Sequence, residues 1–493
     1  MAVNFSIVNL ILVSPAIVLF VVSLIPLALK AFRGNRELRQ VTVVYYSFIG
    51  LVAAGGLAIS NYGVNQTAFE KALVFDGLSH WSTILIIIST AFAVLFAKEN
   101  RATGSRQFGE LVFLILNSAV GMMLVSWSND LIMLFIGIEM MSLCLYLAIA
   151  LSLEERLSKE AAFKYYVLGG FVSAIFLYGV AFIFGTTGGT YLLEISEIGA
   201  ELISTNRLFL FGVIMVVVGL SFKVSIFPFH AWTPDVYQGS STPVTGFMAA
   251  GVKIAVFVAF LRVMATQILT GERAGDFIVA LQWLAAFTML AGNIAAIIQE
   301  NFKRLLAYSS VAHSGYVLMG VLAAGVGNVG ALGASGVLFY VLGYSIMTLG
   351  AFGVISLLEK NENSEISVTD LRGLGTKYPW LALCLSIFLL SLAGIPPTVG
   401  FFGKFFIFSA ALKQGFFWLA VWGVLSSAIG VYYYLRPVVY MYMTTGEGET
   451  LADPRERQFS RMAIMICAVL VIATGLFSNS FYSLIRKSVV DLF

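Results

Sequence analysis

Seven ionisable residues able to take up and release protons lie within or beside long apolar runs of this 493-residue chain. Glu139 is the one carboxylate deep in such a run, in Leu134-Phe-Ile-Gly-Ile-Glu139-Met-Met-Ser-Leu, and it is too short to reach a polar boundary. A lone acid in hydrocarbon is costly and marks either a proton-exchanging site or an ion pair that locks two helices. Lys164 opens the next apolar run after a short gap and is its expected partner, although its long stem also lets it reach an interface. Lys223 lies five residues before Pro228, Lys253 sits mid-run in Gly251-Val-Lys253-Ile-Ala-Val, and Lys404 follows Pro396-Pro397 by seven residues. A buried amine exchanges protons closer to neutral pH than an exposed one, so each reads as a relay group or as a stem stretched towards water. Of the three histidines, His230 and His313 fall along the same route and suit a proton chain, because an imidazole titrates near neutral pH. His80, at a helix start, is given no role.

The elements that position these groups must be membrane helices. Apolar residues make up 59% of the chain and charged residues 11%, against about 25% charged in ordinary soluble proteins. Runs long enough to cross about 30 Å of hydrocarbon recur near 8–31, 41–60, 78–97, 109–127, 129–152, 162–185, 207–230, 243–267, 276–298, 304–325, 329–358, 378–410, 416–442 and 460–483, fourteen in all. The first has no basic residue before it and is too long for the apolar core of a signal peptide, so it reads as a span. The expected class is an all-α, polytopic membrane protein with one membrane domain over 1–493.

Orientation follows from the basic residues. Gaps after odd-numbered spans hold seventeen Lys and Arg, against seven in the remaining gaps and at the C-terminus. The richer side is expected to be cytoplasmic and both termini to lie outside. Five basic residues remain inside or at the edge of spans: Lys164, Lys223, Lys253, Lys404 and Arg436. Arg436, permanently charged, reads as an anchor.

Spans 7 and 12 are expected to break beside Lys223 and Lys404, because Pro228 and Pro396-Pro397 remove helix hydrogen bonds. The breaks lie five spans apart, so spans 4–8 and 9–13 would form an inverted repeat, as around transport sites. The expected organisation is 1–108 for the first three helices, 109–267 and 276–442 for two half-channel repeats, and 460–493 for a C-terminal helix.

Several function classes are excluded or disfavoured. The chain has no Walker-type phosphate loop, dinucleotide glycine fingerprint, cysteine cluster or bis-histidine haem pattern, so no ATP hydrolysis or redox centre is expected in it. A net charge of +3 gives no basis for nucleic-acid binding. Cys144, Cys384 and Cys467 lie in apolar runs and read as packing residues.

The segments Phe135-Ile-Gly-Ile-Glu139-Met-Met-Ser-Leu, Glu160-Ala-Ala-Phe-Lys164-Tyr-Tyr, Phe222-Lys223-Val-Ser-Ile-Phe-Pro228-Phe-His230-Ala-Trp-Thr-Pro-Asp235-Val-Tyr, Lys303-Arg304-Leu-Leu-Ala-Tyr-Ser-Ser-Val-Ala-His313 and Gly394-Ile-Pro-Pro397 with Gly403-Lys404 resemble the antiporter-like membrane subunits of respiratory complex I. The resemblance covers nearly the whole chain. Of the three large subunit types in that family, one carries a long C-terminal lateral helix, absent here, and another usually has an acid where this chain has Lys404. The third type fits, as does the Asp370-Leu-Arg-Gly-Leu-Gly segment.

The resemblance implies a proton-translocating subunit of a bacterial inner-membrane NADH:quinone oxidoreductase, moving protons from cytoplasm to outside. NADH, FMN, iron–sulfur clusters and quinone would be held by other subunits, with no cofactor or metal in this chain. Its partners would be the other membrane-arm subunits and the lipid bilayer. Glu139 and Lys164 match the modulating pair, Lys223 the broken-helix lysine, Lys253 the connecting lysine and Lys404 the second-half site, with His230 and His313 between them. The other readings are a stand-alone cation/proton antiporter and a scaffold whose charges only fasten helices.

Overall fold

The computed structural model describes residues 7–32, 39–100, 107–151, 156–266, 274–326, 329–360, 365–445, 451–454 and 457–490. Arg33, Arg36, Arg101, Arg106, Arg273 and Arg455, which enter the charge sorting above, lie outside them. The chain begins with α1 (Ile7–Phe32) and α2 (Gln40–Ser60), followed by an antiparallel hairpin of β1 (Gln66–Ala68) and β2 (Leu73–Phe75). Next come α3 (Gly77–Glu99), α4 (Phe108–Trp127), α5 (Leu131–Leu151), α6 (Arg156–Thr187), α7 (Leu192–Thr205) and α8 (Arg207–Lys223). Short helices α9 (Thr233–Gly239) and α10 (Thr242–Phe247) lead through a π-helical turn, Met248–Val252, into α11 (Lys253–Ala265). The second part contains α12 (Ala274–Ile297), α13 (Phe302–Gly325), α14 (Gly330–Leu358), α15 (Leu374–Lys377), α16 (Pro379–Ala393), α17 (Val399–Lys413) and α18 (Phe417–Met443). It ends with α19 (Gln458–Leu476) and α20 (Ser478–Val489).

Among the described residues, twelve helices are long and apolar enough to cross a membrane, or thirteen if α7 and α8 are taken as one bent span. The fourteen expected from sequence differ at the two interrupted segments. Span 7 ends as a helix at Lys223, and span 12 is divided into α16 and α17, so these pieces are each too short to count as a long span. Backbone broken at this depth is tolerated because protein surrounds it: Val224, Ser225 and Ile226 are fully buried. Neither the hairpin nor α7 was expected. α7 meets α8 at 113° and buries Leu192, Ile195, Gly199 and Ile203, one face of a segment whose glutamates face outwards.

Packing places the loops at two ends. At one end, Asn100 meets Ser356 and Glu359, Glu99 accepts from the Phe459 and Ser460 N–H groups, and Lys164 and Arg304 meet Asp235. At the other, Asn61 donates to the Ile11 carbonyl, Arg262 meets Asp76, and Trp81 donates to Ser488. The N-terminal start of α1 and the C-terminal α20 therefore share an end.

The same neighbour pattern occurs twice. α4 packs on α5 and α6 on α8; α12 packs on α13 and α14 on α17. α11 returns to α4 as α18 returns to α12. Close approach is built similarly: a Cβ at Gly121 would lie 2.5 Å from the Met141 nitrogen, and one at Gly292 would lie 2.4 Å from the Ala312 nitrogen. α11, α13 and α14 form the buried centre, whereas α1, α2, α6 and α18 show large apolar side chains outwards, as lipid-facing helices do.

Candidate functional site

α5 presents Glu139, Ser142 and Tyr146 at helical spacing to the end of α8. Lys223, buried at 3% exposure, donates to the Ser142 hydroxyl at 2.8 Å and to the Tyr146 hydroxyl at 3.3 Å. Glu139 accepts a hydrogen bond from Ser173 of α6 and acts on Lys223 through space. Lys223 is also the last residue of its own helix, where the unpaired carbonyls favour positive charge.

The expected Glu139–Lys164 pair is not formed. Lys164 instead binds Glu160 at 2.8 Å, one turn back on α6, and Asp235 at 3.0 Å, with its side chain 42% exposed. The reason is axial distance: Glu139 meets α6 at Ser173, nine residues from Lys164, or about 13 Å along the helix. Asp235 bridges two parts of the chain, because it also accepts from Arg304 at the start of α13 at 2.8 Å. Partial burial would raise the Asp235 carboxyl, but Arg304 and Lys164 outweigh it and hold it below its ordinary value.

Beyond the break, the Val224 carbonyl accepts from Ser314 of α13 at 2.5 Å, and Ser314 also reaches the Ser310 carbonyl. That carbonyl accepts from Lys253, whose ammonium lies 4.7 Å from the Tyr344 ring centre. Lys253 is the first residue after the π-helical turn, a local widening that re-aims the side chains following it. His230 is half-buried between Phe227 and Tyr308, and its buried Nδ1 has no hydrogen-bond partner among the described residues. It stands beside the row of groups and makes no hydrogen bond to Lys223 or Lys253.

His313 is buried on α13 with both ring nitrogens engaged, Nδ1 to the Tyr340 hydroxyl at 2.5 Å and Nε2 to the Tyr434 hydroxyl at 2.8 Å. The Tyr434 ring centre lies 4.4 Å from that of Tyr433, and Asn293 accepts from Tyr433 at 2.9 Å and donates to Tyr316 at 3.1 Å. Lys404 closes the row. It donates to the Leu392 carbonyl at 3.1 Å, the Ala393 carbonyl at 3.0 Å and the Ser427 hydroxyl at 2.8 Å, and lies 5.1 Å from the Tyr316 ring centre. Its charge thus meets the carbonyl end of α16, where the helix dipole is negative, and among the described residues it pairs with no carboxylate.

Lys223, Lys253, His313 and Lys404 are accordingly buried, each among hydroxyls or backbone carbonyls, with half-buried Glu139 near Lys223, while Lys164 and His230 stand to the side. Tyr146, Tyr316, Tyr340, Tyr344 and Tyr434 complete the path and were not singled out from sequence, because a tyrosine in an apolar run resembles ordinary core. The four-residue spacing of Tyr340 and Tyr344, which aims both at His313, was the available signal. Arg436 donates to the Ile297 and Gln299 carbonyls and ties α18 to the end of α12. All three cysteines are free.

Residues 128–430 match the family described as NADH:quinone oxidoreductase/Mrp antiporter, transmembrane. The chain is 51% identical to NADH-quinone oxidoreductase subunit N of Bdellovibrio bacteriovorus over 490 residues, covering 99% of this chain and 100% of that one. It is 40% identical to subunit N of Trichlorobacter lovleyi, covering 90% of each. A chain of respiratory complex I from Thermus thermophilus superposes with a TM-score of 0.81 at 32% identity, over 95% of this chain and 98% of that one. The chain therefore belongs to the antiporter-like membrane-subunit family of NADH-quinone oxidoreductase, within its subunit N group.

Proposed function

We propose that this subunit carries protons across the membrane along the path from Glu139 and Lys223 through Lys253 and His313 to Lys404, driven by quinone reduction in neighbouring subunits of the complex. The observation that carries the reading is the row itself: three buried lysines and a histidine are each held by hydroxyls or backbone carbonyls inside an apolar protein. Stability alone gives little reason to bury so many cations without a carboxylate in contact.

The recurring helix neighbours support an inverted repeat of spans 4–8 and 9–13, with one half-channel in each. Counting each interrupted segment as one crossing gives fourteen spans. The charge sorting then places both termini outside, on the periplasmic side, and proton movement runs from the opposite, cytoplasmic end. Lys164 stands beside the pathway, tied through Asp235 to Arg304, and the modulating pair in this arrangement is Lys164–Asp235. Movement of Lys164 from Asp235 towards Glu139 would alter the field at Lys223, and His230 would then become an alternative proton acceptor beside the break. The stand-alone antiporter reading is less favoured, because the relatives above 30% identity named here are subunits of a redox complex.

The test is NADH-driven proton translocation in membrane vesicles carrying Lys223→Ala or Glu139→Ala. Both variants should assemble, and translocation should fall to about a tenth or less, the scale of a lost acid–base group. Wild-type translocation in both would exclude the pathway.

A further inference from the structure

A buried glutamate lies outside the path described so far. Glu359 caps the end of α14 with 4% exposure and accepts from Asn100 at 2.9 Å and from the Thr242 hydroxyl. Lys303, the second residue of α13, is also buried, but its ammonium stands 3.8 Å from the Glu359 carboxylate and donates instead to the Ser240 carbonyl at 3.0 Å. This separation is well beyond the roughly 2.7–2.9 Å of a charge-assisted hydrogen bond. The Asp76–Arg262 pair at the other end provides the contrast. There both carboxylate oxygens are bonded at 2.8 Å, with Ser79 and the Ser126 carbonyl completing the guanidinium's partners. Asp76–Arg262 has the geometry of a lock, and Glu359–Lys303 does not.

Between Glu359 and Lys253 the chain supplies a discontinuous ladder of buried hydroxyls, in which, among the described residues, no hydrogen bond joins Thr242 to Ser240 and backbone carbonyls intervene at Tyr237 and Ser310. Thr242 touches Glu359, Ser240 is hydrogen-bonded to Thr245, and Thr245 donates to the Tyr237 carbonyl at 3.2 Å. Tyr237 Oη and Ser310 Oγ are 3.4 Å apart, and the Ser310 carbonyl holds Lys253. Ser240, Thr242 and Thr245 are each fully buried in the short connection from α9 into α10. Three hydroxyl residues at 0% exposure add little hydrophobic packing energy to such a connection, but they can pass protons.

We infer that Glu359, poised by Lys303, is a proton-loading site that feeds Lys253 along the Thr242–Ser240–Thr245–Tyr237–Ser310 ladder, with water bridging its gaps. The inference rests on the proton-translocation reading above. In the step, the O–H bond of the Glu359 carboxylic acid breaks and an N–H bond forms on the neutral Lys253 amine. Hydroxyls and intervening water exchange O–H bonds between them. Glu359 is left as a carboxylate beside the Lys303 ammonium, ready for the next proton.

The experiment measures protons translocated per NADH oxidised in vesicles containing the whole complex with Glu359→Gln, Glu359→Asp, Thr245→Val or Lys253→Met. Glu359→Gln should lower the ratio by about threefold or more at normal subunit content, within the range of a lost proton-transfer group. Thr245→Val should lower it similarly, and Glu359→Asp, which keeps the acid, should restore most of it. Equal loss in the Gln and Asp variants marks a packing role and overturns the inference. A normal ratio in Glu359→Gln beside a depressed one in Lys253→Met overturns it while leaving the translocation reading standing; normal ratios in both remove the reading itself. If Glu359→Gln fails to assemble, Thr245→Val decides: a normal ratio there overturns the ladder.

Discussion

At the scale of single residues, small offsets along a helix decide which charges meet. Lys164 and Ser173 share α6, yet one faces Asp235 and the other Glu139. Asp235→Asn should loosen both Lys164 and Arg304 and slow proton uptake severalfold in the vesicle assay. Its carboxyl is held below the ordinary value of about 3.9, so the bridge is intact above that pH and is lost only as pH falls through the lower folded value. The loss in Asp235→Asn should thus be equal at about pH 6 and about pH 8, well above that titration; a loss confined to one of them would contradict the assignment. The types of the key residues were legible in the sequence because charge in an apolar run is conspicuous. Their partners were not: the short gap between the two apolar runs favoured Glu139 for Lys164, whereas the structure gives it Glu160 and Asp235.

At the scale of elements, the breaks were legible through Pro228, Pro396 and Pro397, and the structure adds how they are used. α16 ends at Gly394 with a φ of +88°, which leaves the last carbonyls turned towards Lys404. A Cβ there would lie 3.1 Å from Lys404 Cδ. Gly394→Ala should cost roughly 1–2 kcal/mol for the left-handed backbone and displace the ammonium. The expected result is a lower melting temperature of the purified complex together with weakened proton translocation; unchanged values for both would contradict this account of the break. The π-helical turn before Lys253, the hairpin and α7 were not legible. A π-helical turn leaves no periodic signature over five residues, and α7 mixes three glutamates with leucines and isoleucines over only fourteen, short enough to pass for a polar connection.

At the scale of the whole molecule, the membrane class and family were legible from composition and motifs, and the gathering of loops at two ends agrees with alternating spans. The count was less legible, because a run of apolar residues does not reveal where its helix is interrupted. A chain with this wiring and no energy-converting centre of its own should depend on its neighbours, so the isolated subunit in liposomes should show no sodium–proton exchange. Rapid exchange would favour the antiporter reading. The most direct measurement is protons translocated per NADH oxidised in vesicles with Lys253→Met, the residue in which both proposed uptake routes meet. The account predicts a fully assembled complex whose ratio falls to about a tenth of wild type or lower, as expected for loss of an essential proton-transfer group. A wild-type ratio in that variant would contradict it.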